Sequence, residues 1–114
     1  MSILEDIQMA LAELDIPVVT GAYKDKAPDA YIVVVPLADS WGYHADDLPR
    51  VDVQEARLAL FSRSSYTAMK NSVISALLTA GFSITLRQYI GYEPDTGYFH
   101  YNIDTQKVYE MEGL

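Results

Sequence analysis

Apolar residues recur with a helical period from residue 2 to 14. Ile3, Ile7, Ala10, Leu11 and Leu14 share one face, and Ser2 and Glu5 have the spacing of a capping box. Asp15-Ile16-Pro17 closes the pattern, because proline disfavours helix in the residue before it. The β-branched residues Val18, Val19 and Thr20 predict a short strand within 17–23, and the polar run from Lys24 to Asp29 predicts a turn. Ala30 to Leu37 is apolar on both parities, which suits a strand covered on both faces, with Pro36 placed near its end.

Periodicity is lost over 38–50, which reads as an irregular loop carrying the lone Trp41 together with Tyr43. Large aromatics in such a loop either plug the core or reach a partner. It returns over 51–61 with a change of parity: Val51 and Val53 are odd, Ala56, Leu58 and Leu60 even. A bulge near Gln54-Glu55 would reconcile the halves. Tyr66, Met69, Val73, Ala76, Leu77 and Ala80 mark a second helix, capped by Ser64 or Ser65 and stopped by Gly81. Two strands, about 82–92 and 98–105, then pair around Glu93-Pro94-Asp95-Thr96-Gly97, with Ile84, Leu86 and Ile90 on one face. Val108 and Tyr109 either extend the sheet or fold across it.

The order is α-β-β-β-α-β-β. Helices and strands do not alternate strictly and most connections are short. This predicts an α+β fold: a largely antiparallel sheet of about five strands with two helices packed on one face. At 114 residues, without repeat or linker, the chain reads as one domain, 1–114.

Charge and composition narrow the chemistry. Sixteen acids face eight Lys and Arg, for a net charge of −8, so stable wrapping of a duplex is not expected. No run approaches the roughly 20 apolar residues that span a bilayer, and the acidic start does not resemble a signal peptide. The absence of cysteine removes disulfides, thiolate metal sites and thiol catalysis, and fits assembly in a cytoplasm. His44 with Asp46 and Asp47 matches no defined metal loop. His100 lacks an oriented nucleophile and carboxylate, and the glycines form no phosphate loop. No catalytic, metal or cofactor site is expected, so an enzyme is not. A metal-dependent hydrolase using His44, Asp46, Asp47 and His100 is the weakest reading.

The aromatic count carries more. Nine Tyr is high for this length, and Tyr89, Tyr92, Tyr98, Tyr101 and Tyr109 crowd the C-terminal hairpin. Cross-strand pairing accounts for part of this. The excess predicts an assembly surface, with Trp41, Tyr43, Tyr92, Tyr98 and Tyr101 as candidate interface residues.

In this order, the N-terminal amphipathic helix, the Tyr31 to Pro36 strand, the Trp41 to Asp47 loop, the Gln54 to Arg63 strand, a helix opening Ser65-Tyr66-Thr67, the stop Ala80-Gly81-Phe82 and the ending Tyr92 to Tyr101 resemble one family. It is the tail terminators of long-tailed phages, also called tail-completion or tail-to-head joining proteins. The likeness covers about residues 3–105. It implies an α+β subunit that is not an enzyme. It also implies a homo-oligomeric ring, usually a hexamer, located in the virion, at the phage tail or neck, and assembled in the host cytoplasm. Its partners would be the tail tube protein and the head-tail connector protein. DNA would pass through the lumen without stable binding, past acids drawn from Asp25, Asp29, Asp39, Asp46, Asp47, Asp95 and Asp104. The alternatives are another head-tail connector or minor capsid neck protein, and a small-molecule-binding α+β regulatory module with 38–50 as its lid.

Overall fold

The computed structural model describes residues 2–22, 26–45 and 48–111, with side chains in those ranges except at 43–45 and 48–50. The chain is α+β in the expected order. Helix α1 is Ile3–Leu11, followed by a 3-10 turn, Ala12–Leu14; helix α2 is Thr67–Thr79. The strands are β1 (Val18–Thr20), β2 (Ala30–Ala45), β3 (Leu48–Ser62), β4 (Ser83–Glu93) and β5 (Tyr98–Glu110). They form one sheet in the order β1-β2-β3-β5-β4, with β1 parallel to β2 and every other pair antiparallel. No helix among the described residues is long and apolar enough to cross a membrane.

Each helix begins and ends for a local reason. The Ser2 hydroxyl accepts from the Leu4 amide, one residue earlier than a capping box places it. The N-cap of α2 is Tyr66, without a side-chain cap, and not Ser64 or Ser65 as expected; the Ser65 hydroxyl, one residue earlier, accepts from the Thr67 amide at 3.4 Å. Gly81, at φ +90°, closes α2: the Phe82 amide reaches back to the Leu77 carbonyl in a Schellman arrangement. Asp15 takes the left-handed conformation after the 3-10 turn, so the first helix frays before Pro17.

Both helices lie on one face of the sheet. Ile3, Ile7 and Leu11 of α1 and Met69, Val73 and Leu77 of α2 cover Ile32, Val34, Ala56, Leu58, Leu60, Tyr101 and Ile103. The registers Val34↔Leu58↔Ile103 and Ile32↔Leu60↔Tyr101 put these side chains in rows across the three central strands.

The strands depart from expectation in four places. Residues 38–45 and 48–50 are not a loop; they continue β2 and β3 into a long hairpin. Trp41 pairs with Asp52 and Gly42 with Val51, so backbone pairing holds a segment whose side chains show no alternation. The bulge lies across from the expected position: Pro36 pairs with Ala56 and Ala38 with Glu55, leaving Leu37 as the extra residue. A bulge beside Pro36 fits the missing amide donor of proline. β3 itself pairs with β5 without a break, so Val51 and Val53 face away from the helices. Finally, β4 carries register shifts between Ile84 and Leu86 and between Tyr89 and Gly91. They turn Leu86 to the face opposite Ile84, so the two do not share one. Val108 and Tyr109 extend β5.

No helix among the described residues covers the second face. β2 was expected to be covered on both sides, yet Tyr31, Val33 and Val35 are only half-buried there. Aromatic rings pack among themselves instead. Tyr31 stacks on Phe61 at 4.9 Å, and Phe61 on His100 at 4.4 Å. Tyr98 meets both Tyr31 and Phe61 edge-on.

Candidate assembly surface

The bare face is anchored by an ion pair. Arg57 donates from Nε and Nη2 to the two oxygens of Asp104, at 2.8 and 2.9 Å. This bidentate hydrogen bond raises the guanidinium pKa above its ordinary value. Asp104 is buried at 7% exposure, whereas the Arg57 side chain is 37% exposed. Arg57→Ala therefore leaves a buried carboxylate unpaired and should cost about 2–4 kcal/mol. Asp104→Ala leaves a cation that water can reach and should cost less. Urea denaturation of both variants measures the asymmetry.

A second polar contact ties α1 to β5. Tyr109 donates to Asp6 at 2.6 Å, with Lys107 Nζ 3.8 Å from the same carboxylate. Burial, followed by the Asp6 hydrogen bond, pushes the Tyr109 phenol above its ordinary value. A raised folded-state pKa stabilises the protein fully below the unfolded value near 10 and loses that contribution as pH rises above it. Tyr109→Phe should cost about 1–3 kcal/mol at neutral pH. It should also remove this tyrosine's share of the loss of stability above pH 10, which melts at stepped pH would record.

The candidate interface residues separate into two groups. Tyr98 and Tyr101 belong to the subunit's own packing, at 4% and 8% exposure. The Tyr98 hydroxyl donates to the Pro28 carbonyl at 2.6 Å, and Arg63 lies 4.4 Å over its ring. Tyr101 stacks on Tyr66, with Lys70 over its face. Trp41 and Tyr92, at 62% and 50% exposure, are the two that face solvent. The side chain of Tyr43 lies outside the described residues, as do those of His44, Asp46 and Asp47. His100 bonds Asn102, Nε2 to Oδ1 at 2.9 Å, and packs on Phe61. Among the described residues no three His, Cys, Asp or Glu cluster in a way that would hold a metal ion.

The exposed group has more members than the sequence indicated. Leu86, Tyr89, Ile90 and Tyr92 are exposed along β4. That strand is the outer edge of the sheet, pairing with β5 alone. The opposite side is open as well. The three-residue β1 pairs only with Ile32, Val33 and Val34 of β2, which leaves the outer edge of β2 unpaired from Val35 to Ala45 among the described residues. Unpaired edges of this length are where one chain adds to another. Strand order could not be read from the hydrophobic pattern, so neither edge was foreseeable.

Near Trp41 the hairpin forms a shallow depression lined by Asp39, Ser40, Trp41, Asp52 and Met111. Gln54 donates to Asp52 at 2.8 Å, and its carbonyl accepts from the Ile3 amide at the start of α1. The Asp39 side chain has no hydrogen-bond partner among the described residues, and its backbone lies in the ladder opposite Gln54. Of the other acids expected to face a lumen, Asp104 is buried against Arg57 and Asp29 pairs with Arg63 at 3.0 Å. Asp39 and Asp95 are exposed; Asp25, Asp46 and Asp47 lie outside the described residues.

No family model and no curated protein matches the chain. Among solved structures it is similar to a chain from the virion of a native gene transfer agent particle. The TM-score is 0.57 at 8% identity, over 96% of both chains. Likeness at that identity is likeness of fold.

Proposed function

We propose that the chain is a structural subunit of a phage-like virion. It forms a homo-oligomeric ring that closes the end of a tail tube and offers the surface to which the head joins. The observation that carries this reading is the end-to-end fold likeness to a virion chain. Two open sheet edges on opposite sides of the subunit support it, because a contact between unlike surfaces closes into a ring when its rotation closes. The role is non-enzymatic: aromatic packing occupies His100, and Trp41, Leu86, Tyr89, Ile90 and Tyr92 give the hairpin and the β4 edge an exposed apolar character suited to contact. Assembly offsets several kcal/mol of lost rigid-body freedom, so the ring forms on the tube end as template and the dilute subunit is a monomer.

Purified subunit added to tail tubes should cap one end of each tube in negative-stain images. Tube ends that stay bare at saturating subunit would overturn the reading. The net charge of −8 further predicts a lumen that does not hold DNA. Gel shifts at low salt should show no duplex binding. Binding that weakens with added salt would reveal a basic patch and contradict it.

A further inference from the structure

The outer edge of β4 has no strand beside it among the described residues, and residues 85–90 are exposed along it. Which backbone groups face outward follows from the ladder. The Ile32 amide donates to the Pro17 carbonyl and the Gly21 amide to the Val34 carbonyl, so Ile32 and Val34 turn their backbone groups toward β1. Carried through the registers of β3 and β5, this alternation leaves Ile84, Arg87, Tyr89 and Tyr92 facing outward from β4. The spacing is uneven because Thr85 and Ile90 are extra residues in the ladder. It is symmetric all the same: 84 and 92, and 87 and 89, stand at equal distances from Gln88.

A regular strand laid on this edge falls out of step at either bulge, which is how bulges protect an edge. A second copy of β4, antiparallel about a two-fold axis through Gln88, sets each bulge opposite the other. It stays in step from Ile84 to Tyr92. We infer that two free subunits pair in this way, β4 to β4, in one continuous sheet. The contact is isologous, Arg87 of each copy meeting Tyr89 of the other.

The side chains agree with that register. Arg87 and Tyr89 pair with the core residues Ile103 and Tyr101, so both lie on the helix-bearing side. Arg87 is exposed, with no side-chain hydrogen bond or ion pair among the described residues. Tyr89 is 46% exposed, and Tyr66 stacks on one face of its ring, leaving the other for a guanidinium. The charge on this edge thus finds its complement in a second copy of the same strand. Leu86 comes level with Ile90, and Gln88 with Gln88. The pairing covers Leu86, Tyr89, Ile90 and Tyr92, the exposed apolar residues of the strand. A contact one strand wide is small beside the interface of an obligate dimer, so the pair forms as concentration rises and opens on dilution. It occupies one of the two open edges from which a ring would be built, and so holds free subunits back from closing a ring away from the tube.

The absence of cysteine makes the register testable. Gln88 meets its counterpart at a site without backbone hydrogen bonds, where Cα atoms stand about 4.5 Å apart, within reach of a disulfide. Leu86 lies about four residues from its own counterpart, roughly 13 Å along the strand and beyond that reach. Under mild oxidation Gln88→Cys subunits should link into dimers at least tenfold faster than Leu86→Cys subunits. Both positions are exposed, so both variants should keep the wild-type melting profile. Sedimentation velocity over a concentration series should show wild-type monomer giving way to dimer, and Arg87→Asp should need at least tenfold more protein to do so. Wild-type protein that stays monomeric at every soluble concentration overturns the pairing. So does Gln88→Cys linking no faster than Leu86→Cys, or an undiminished Arg87→Asp dimer, because the two-fold register sets Arg87 against Tyr89. None of these measurements uses tail tubes, so the pairing stands or falls apart from the ring.

Discussion

Trp41→Ala leaves the subunit folded and weakens its attachment to tube ends by at least about 30-fold, a loss of roughly 2 kcal/mol or more. The indole is 62% exposed and takes no part in the core beneath the helices. Truncation of such a surface residue changes stability by no more than about 0.5 kcal/mol. Within an interface the same ring is the kind of large, rigid anchor that dominates binding. The fraction of capped tube ends against subunit concentration measures the first effect, and thermal melting by circular dichroism the second. A Trp41→Ala subunit that caps tubes at wild-type concentrations would remove the hairpin from the interface.

Leu58→Ala has the opposite profile. Leu58 is fully buried in the central strand, between Val34 and Ile103 in the cross-strand row. Neighbours on three strands and two helices limit how far the site can collapse around the lost atoms. The expected loss is about 2–5 kcal/mol, a large part of the 5–15 kcal/mol typical of a domain. Urea titration should show a lower midpoint with an unchanged slope. Leu78→Ala is the control: Leu78 lies on the outer side of α2 at 55% exposure and should move the midpoint little.

These two residues also mark what was legible in the sequence. Leu58 was readable as core because Ala56, Leu58 and Leu60 share one parity, opposite to that of Glu55 and Arg57, and the stripes of both helices face them. The element order followed from those periods and from Gly81 and the Glu93–Gly97 turn. The hairpin bearing Trp41 was not readable as strand. Asp39, Ser40 and Trp41 are all exposed there, so no alternating burial writes itself into the sequence, and cross-strand backbone pairing supplies the order. The bulges at Leu37, Thr85 and Ile90 likewise reverse which face a residue occupies without a local signal beyond Pro36.

The tyrosines were a partial guide. Their excess over one core layer is real, but it divides between two clusters within the subunit. Tyr66, Tyr89 and Tyr101 stack on the helix side, and Tyr31 and Tyr98 pack with Phe61 on the bare side. Tyr98 and Tyr101 thus stabilise the monomer, and the exposed β4 edge takes their place in the proposed interface. That edge depends on the spatial order β1-β2-β3-β5-β4, in which the last strand returns to the inside and its predecessor is left outermost.

The central claim is that this subunit closes a tail tube as a ring and prepares it for the head. Electron microscopy of tails assembled with and without the chain tests it most directly, scoring tube length and the fraction of tails that join heads. With the subunit, tails should be uniform in length, end in a ring and carry heads; without it, they should over-extend and remain headless. Tails of unchanged length and full joining competence in its absence would contradict the account.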